Sequence, residues 1–255
     1  MKIDLNSDLG EGFGIWRMGD DEAMMKLVTS ANIACGFHAG DPTIMFKTLK
    51  LAASMEISVG AHVSYPDRVG FGRRNMDISP DVLMADVIYQ IGALEGLAKA
   101  AGTTVNYVKP HGALYNTIAH SSERAEAVIN AIKALNPRLA LMVPAASPLE
   151  KQALDSGLRI IREVFADRAY TPGGALVPRT QRGAVLHSPK EVVSRITGLL
   201  RKGTLTASDG SEIMMKADSI CIHGDTAGSV EMASAIRRLL LSAGITLAAA
   251  TGEET

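Results

Sequence analysis

Histidines recur in this sequence where an apolar, strand-like run gives way to a loop marked by glycine or proline. The clearest cases are NIACGFHAGDP, VGAHVSYPD, VNYVKPHGALY and ICIHGDT, which contain His38, His62, His111 and His223. A single histidine at a strand end is more often structural than catalytic. Four such positions predict that the strand ends converge and that these side chains share one pocket, where they could transfer protons.

Charged side chains accompany the histidines on the same strand faces. Successive side chains of a strand point to opposite faces, so Asp4, Asn6 and Asp8 share one face. By the same rule Lys109 lies on the face of His111. A lysine inside an apolar run needs a partner because its desolvation is costly. We therefore expect Asp8 or Asp4 to pair with Lys109 in a polar interior.

Arginines mark two further loops. Arg73 and Arg74 follow a glycine-flanked turn, VGFGRR, and could bind a carboxylate or a phosphate; a solvated pair of charges is an equally good interpretation. Asp167 and Arg168 lie in the run EVFADRAYTPGGALVPR. Asp225 shares a strand face with His223, although it could equally cap the last helix. No Walker-type phosphate loop occurs, so a nucleotide would need another binding mode or another protein chain.

A metal site receives little support from the spacing of these residues. Histidines and aspartates that meet at a barrel mouth could hold a divalent ion. However, no HExxH or HxxxH spacing occurs, and the histidines belong to different strands. The sequence alone therefore predicts no required metal.

Strand-like and helical patterns alternate along the chain. Apolar runs begin at Ile3, Ser30, Ile57, Val105, Ala140, Ile160 and Ile220, and most are followed by a segment with helical spacing. This order predicts a parallel sheet, and polar residues at nearly every strand end favour a closed barrel over an open sheet. We expect one α/β domain, a distorted seven-stranded β/α barrel over residues 1–247, with a flexible tail over 248–255. The stretch from Thr204 to Glu212 predicts an inserted hairpin.

Composition excludes several classes of partner. The 255 residues carry 26 basic and 27 acidic side chains, for a net charge of −1, and lack a basic run. Nucleic acid and anionic membranes are therefore not expected ligands. No signal-peptide core and no run of about 18 apolar residues is present, which predicts a cytoplasmic protein with a small-molecule substrate.

Six strings occur in one order along nearly the whole chain: DLNSDLGEGFG, NIACGFHAGDP, GAHVSYPDRVGFGRR, VKPHGALYN, EVFADRAY followed by LVPR, and CIHGDT. Together they resemble the LamB/YcsF family, the A subunits of bacterial 5-oxoprolinase. The resemblance implies the glycoside hydrolase/deacetylase type of barrel. It also implies ATP-dependent opening of 5-oxo-L-proline to L-glutamate, with Mg²⁺ accompanying the ATP, in an assembly with subunits B and C.

The family pattern carries over onto individual residues of this sequence. We assign catalytic roles to Asp8, His38, His62, Lys109, His111 and His223. We assign substrate binding to Glu11, Arg68, Arg73, Arg74, Asp167, Arg168 and Asp225. The pattern also matches Asp41 and Asp67. One departure is the turn from Thr171 to Gly174, where an acidic residue is more usual, so no role is assigned to that turn.

The residue types suit this reaction. Opening a lactam with water needs an anion clamp, a general base and a proton donor for the ring nitrogen. Lys109 and the arginine loop suit the first role; Asp8, His62 or His223 could be the base, and His38 or His111 the donor. Two alternatives stay open: metal-dependent deacetylation of an N-acyl or carbohydrate substrate, and a chain that binds ligand without catalysis.

Overall fold

The computed structural model describes residues 2–186, 188–224 and 228–250. Within them, seven parallel strands close into a barrel surrounded by helices. The barrel strands are β1 (Lys2–Leu9), β2 (Ser30–Ala34), β3 (Ser58–His62), β4 (Val105–Val108), β5 (Ala140–Pro144), β6 (Ile160–Phe165) and β9 (Ser219–Cys221); β7 (Thr204–Thr206) and β8 (Glu212–Met214) form a separate hairpin, and β10 (Thr246–Leu247) is a short edge strand. The predicted seven-stranded α/β barrel is confirmed, and the predicted inserted hairpin is present.

Strand β9 closes the barrel because it pairs on both sides. Cys221 is in register with Asn6 of β1 and with Phe165 of β6. The chain between β6 and β9 leaves the barrel to form a helix and the hairpin, which is the distortion of the otherwise regular β/α order. Strand β10 pairs with Lys2 and Ile3 at the start of β1, and the backbone N–H of Ala248 donates to Ile3 O at 3.1 Å. The predicted tail thus begins with a residue that is bonded to the barrel, and residues 251–255 lie outside the described ranges.

Helices cover the outside of the barrel. They are α1 (Asp21–Met25), α2 (Pro42–Ser54), α3 (Pro80–Ala101), α4 (Gly112–Ile118), α5 (Ser122–Leu135), α6 (Pro148–Asp155), α7 (Pro189–Lys202) and α8 (Ser229–Ser242). Asp41 caps α2 by accepting from the N–H groups of Thr43 and Ile44, and Ser188 caps α7 in the same way. Their apolar faces and the outward faces of the strands form one continuous core. In the part of the chain that the structure describes, no helix is long and apolar enough to span a membrane.

A column of polar side chains runs inside the barrel, as the row on β1 predicts. Asp4 accepts hydrogen bonds from Ser30 and Ser219, and Asn6 accepts from Asn32 at 2.8 Å. The Tyr107 hydroxyl enters this space and donates to Asn32 at 2.6 Å. Gly60 makes room for that ring, because a Cβ built there would lie 2.1 Å from it. This hydrogen-bonded column is fully buried and leads upward to the carboxyl ends of the strands.

Candidate active site

Lys109 lies just past the end of β4, at the top of the polar column, and is almost fully buried. Its Nζ atom is 2.8 Å from Asp8 Oδ1 and 2.9 Å from Glu163 Oε1. The contact with Glu163 is an ion pair without hydrogen-bond geometry. Of the two expected partners, Asp8 is the one that Lys109 contacts. Asp4 is the wrong alternative, because its carboxylate is bound by hydroxyl groups one layer lower.

This charge network fixes protonation states. Burial opposes charge on both groups, yet His62 and Lys109 hold the pKa of Asp8 well below its ordinary value. Burial likewise opposes the ammonium, but Asp8 and its anionic neighbours raise the pKa of Lys109 well above its ordinary value. Cys221 lies 3.2 Å from the ammonium, and burial raises the pKa of its thiol, so it stays protonated. At neutral pH the pair is a buried carboxylate against a buried ammonium.

Three histidines and one glutamate form a second cluster beside Asp8, which we call the histidine cluster: Glu11, His38, His62 and His111. His62 Nε2 and His111 Nδ1 are 2.9 Å apart. Glu11 Oε1 lies 3.3 Å from His38 Nε2, 3.6 Å from His111 Nδ1 and 3.9 Å from His62 Nε2. His38 stacks on His111 with ring centroids 3.8 Å apart.

A tight loop presses on this cluster. Gly72 has a φ of 63° and approaches so closely that a Cβ there would lie 2.8 Å from the ring of His111 and from His38 Cβ. The preceding Phe71 has a φ of 54°, a strained value for a side chain of that size, and its carbonyl accepts from His111 Nε2 at 2.9 Å. Burial and neighbouring imidazoles lower the pKa of both His38 and His111 well below the ordinary value, so both are neutral at pH 7.

His223 forms a separate pair on the other side of the mouth. Its Nδ1 atom lies 2.9 Å from Asp167 Oδ2, and its ring stacks on Phe165 with centroids 5.2 Å apart. Burial would raise the pKa of Asp167, but His223 holds it below the ordinary value. An ionised aspartate that accepts from Nδ1–H fixes the tautomer and orientation of a histidine.

These groups surround one cavity of about 680 Å³ at the carboxyl ends of the strands. Its lining contains Asp8, His62, Lys109, His111 and His223, with Tyr115, Asn116 and Phe165, and arginines Arg73, Arg168 and Arg179. Arg168 is buried and donates to the carbonyl groups of Ala184 and Val177; burial and the nearby Arg179 lower its pKa to about 10, which leaves it cationic at neutral pH. The cavity thus combines proton-transfer groups with a cationic side suited to an anion.

Five of the predicted site residues do not line the cavity; one is Asp167, which contacts His223 instead. His38 and Glu11 are buried beside His111 and do not line the cavity. Arg74 is exposed and pairs with Asp67, whose pKa this contact lowers to about 2. Arg68 lies over the Phe13 ring at 4.0 Å, donates to Gly36 O, and lines a different groove. The predicted role of Asp225 falls outside the described residues.

Sequence reasoning missed some residues at the site, chiefly Glu163. Its signal was available, because a glutamate inside the apolar run IIREVF poses the same desolvation problem as Lys109. Phe165 gave no distinguishing signal, and Arg179, at the end of the run EVFADRAYTPGGALVPR, was noted without a role. The ring of Phe165 could not be told from an ordinary core aromatic, and Arg179 lies on a loop whose path is not encoded in a periodic pattern.

Comparisons agree with this architecture. The chain belongs to the class of closed, seven-stranded β/α barrels. A peptidoglycan N-acetylglucosamine deacetylase shares this fold, at 13% identity and a TM-score of 0.51 over 96% of this chain and 84% of the other, and the likeness concerns the fold alone. The LamB/YcsF family profile matches residues 3–255, and the chain belongs to that family. The resemblance drawn from the six strings is thereby confirmed.

Relatives match over almost their full length. A protein of Pseudomonas syringae pv. tomato, named as an A subunit of 5-oxoprolinase, is 59% identical and covers 99% of both chains. A protein of Photorhabdus laumondii with the same A-subunit name is 60% identical over 96% of this chain and 97% of its own. The crystal structure of a lactam utilization protein from Thermus thermophilus superposes with a TM-score of 0.93 at 42% identity, covering 98% of this chain and 100% of the other.

Proposed function

We propose that this chain is the A subunit of a bacterial-type 5-oxoprolinase, which opens 5-oxo-L-proline to L-glutamate at the expense of ATP in an assembly with subunits B and C. The observation that carries the proposal is the buried Asp8–Lys109 pair at the mouth of a cavity with a cationic side, in a chain about 60% identical to proteins of that name. Such an assembly would work in the cytoplasm, where ATP is available.

The chemistry requires activation of an inert amide. Transfer of the γ-phosphoryl group from ATP to the lactam oxygen releases ADP and makes the ring carbon electrophilic. Water adds to that carbon, the ring C–N bond breaks as the nitrogen takes a proton, and a second water hydrolyses the resulting acyl phosphate to glutamate and phosphate. Each step moves either negative charge or a proton, so the residues needed are cations and neutral proton-transfer groups.

The cavity residues divide along those lines. Lys109 lies deepest and suits the lactam oxygen and the charge that develops on it. Arg73, Arg168 and Arg179 suit the substrate carboxylate or the phosphates. Mg²⁺ would accompany ATP and neutralise its phosphates.

Histidines supply the proton transfers. The lowered pKa of His111 leaves it able to accept a proton, and His62 lies next to it at the cavity wall. His223, oriented by Asp167, suits the proton donor to the ring nitrogen. His38 does not line the cavity, so we revise its role from proton donor to support of His111 and Glu11.

Dependence on partners is part of the proposal. Only Lys109 and three arginines are evident as phosphate ligands among the described residues of the cavity, which is sparse for phosphoryl transfer.

The test is glutamate release from 5-oxo-L-proline with the chain alone, with subunits B and C alone, and with all three. We expect release only in the complete mixture with ATP, and its loss when the chain carries Lys109→Ala or His62→Ala while the assembly, measured by size-exclusion chromatography, persists. Asp155→Asn, in an exposed i,i+4 pair, is the matched control and should keep full activity. ATP-coupled ring opening by the isolated chain would contradict the partner dependence.

A second candidate is metal-dependent deacetylation, because the histidine cluster contains the side chains that hold divalent ions in such hydrolases. Its test is release of acetate from N-acetyl sugars by the isolated chain. Robust, chelator-sensitive release without ATP would favour this function over ring opening.

A further inference from the structure

We propose that Glu11, His62 and His111 form a binding site for a first-row divalent cation such as Zn²⁺, Co²⁺ or Mn²⁺, with His38 as a positioning residue for Glu11. The proposal concerns these residues only and does not depend on the reaction assigned above.

The tautomers of His62 and His111 follow from the hydrogen-bond partners of their ring nitrogens. His62 Nδ1 lies 2.9 Å from the carbonyl oxygen of Lys109, and His111 Nε2 lies 2.9 Å from that of Phe71. A carbonyl oxygen only accepts, so both of these ring nitrogens carry the proton. When both rings are neutral, His62 Nε2 and His111 Nδ1 therefore present bare lone pairs to each other at 2.9 Å. Two acceptors this close repel unless a cation lies between or beside them.

Carboxylates place further hydrogen-bond acceptors beside these two nitrogens. Glu11 Oε1 faces both lone-pair nitrogens, and Asp8 Oδ2 lies 3.4 Å from His62 Nε2. Asp8, Glu11 and Glu163 bring three buried carboxyl groups to this region, against the one buried ammonium of Lys109 among the described residues. These carboxylates would attract a divalent cation.

The distances between the ligand atoms of Glu11, His62 and His111 are compatible with ligands of one ion. Two ligands about 2.1 Å from a metal are separated by about 3.0 Å at a right angle and by about 3.4 Å at the tetrahedral angle. The nitrogen pair at 2.9 Å lies just below this range and the carboxylate separations of 3.6 and 3.9 Å lie above it. All three are shorter than about 4.2 Å, the largest separation that two such ligands of one ion can have. Two imidazoles and one carboxylate on one side of an ion favour first-row metals over Mg²⁺, and leave positions open toward the cavity.

The surroundings resemble the supporting shell of metal sites. Histidines that bind metals almost always donate their other N–H to a carbonyl or carboxylate, and both His62 and His111 do so here. His38 Nε2 lies 3.3 Å from Glu11 and can orient it. Another possible metal group among the described residues is Asp8, Cys221 and His223; it is a weaker candidate because Asp8 and Cys221 already contact the ammonium of Lys109.

A shared proton between His62 and His111 is the rival explanation of the 2.9 Å contact. It would relieve the lone-pair repulsion. It involves only the two ring nitrogens, whereas a metal ion would also be bound by the Glu11 carboxylate, which lies 3.6 and 3.9 Å from them. Stoichiometric metal binding distinguishes the two explanations.

The experiment equilibrates the full-length chain, stripped with chelator, with Zn²⁺ or Co²⁺ in the absence of ATP and 5-oxoproline. Bound metal is measured by mass spectrometry, and the Co²⁺ complex by its visible absorption. We expect about one ion per chain. Glu11→Gln and His111→Gln, each checked for folding by circular dichroism, should weaken binding by more than about 100-fold.

Glu126→Gln, on the exposed face of α5, is the matched control and should bind as the wild type does. Absence of stoichiometric binding, or binding that both cluster variants leave unchanged, would overturn the site. Because metal is measured directly on the chain, either result is independent of whether the assembly opens 5-oxoproline.

Discussion

Asp8 is the carboxylate whose removal tests the proposed chemistry most sharply. Asp8→Asn keeps the side-chain volume and removes one charge from a network in which the carboxylate contacts Lys109 at 2.8 Å and His62 at 3.4 Å. Because the pKa of Asp8 is held well below its ordinary value, the wild-type group is ionised throughout the neutral range. The substitution therefore changes charge at every pH of the assay.

The magnitudes of the two expected effects differ. Removing one member of a buried pair costs about 3–5 kcal/mol when the partner is left unpaired. Here Glu163 remains 2.9 Å from Lys109, so we expect a smaller loss of unfolding free energy, about 1–3 kcal/mol. Turnover should fall at least about 100-fold, which corresponds to about 2.7 kcal/mol of lost transition-state stabilisation.

The assay measures kcat and KM for glutamate release in the complete mixture with subunits B and C, from about pH 6 to about pH 9, with urea unfolding in parallel. A structural role alone would lower stability and leave kcat and the pH profile intact. Asp155→Asn again serves as the matched control. An Asp8→Asn chain with wild-type kcat and an unchanged pH profile would refute a role for this carboxylate in the chemistry.

Three further predictions test other parts of the structure. Arg73→Ala should raise KM about 10-fold because Arg73 lines the cavity. Arg74→Ala should change KM by less than about 2-fold because Arg74 pairs with Asp67 outside the cavity. Equal effects of the two substitutions on KM would contradict these different roles of Arg73 and Arg74. The lowered pKa of Asp67 makes its pair with Arg74 stabilising above the ordinary pKa of 3.8, and that stabilisation is lost as the pH falls toward about 2. Urea unfolding should therefore show a larger difference between wild type and Arg74→Ala at about pH 6 than at about pH 3; a difference that grows on acidification would reverse the assigned sign. Gly60→Ala should lower the free energy of unfolding by about 1–3 kcal/mol, because its Cβ would meet the Tyr107 ring. The control is Gly92→Ala on α3, which should not destabilise the chain because nothing lies within 4 Å of the new Cβ. Equal losses of stability in the two variants would refute the packing argument.

Much of the fold follows from local pattern. Each of the seven barrel strands lies where an apolar run begins, because a strand buried on both sides must be apolar except where its inward face meets other polar groups. The starts of α2 and α7 follow from Asp41-Pro42 and Ser188-Pro189, because a capping side chain and a proline act within a few residues.

Long-range geometry could not be read in the same way. Parity on β1 placed Asp8 inside the barrel, but only the closed barrel brings it to Lys109, 101 positions along the chain. The pairing of Arg74 with Asp67 depends on how one loop folds back on itself. The histidine cluster depends on the approach of the Phe71-Gly72 loop, which no spacing in the sequence indicates.

The measurement that tests the central claim most directly is the ratio of ADP to glutamate formed from 5-oxo-L-proline by this chain with subunits B and C, with carbon NMR used to follow opening of the lactam. The proposed function predicts equal amounts of ADP and glutamate, and neither product when the chain is omitted or carries Lys109→Ala. Glutamate formed without ATP, or a complete and stably assembled mixture that leaves the lactam intact, would contradict it.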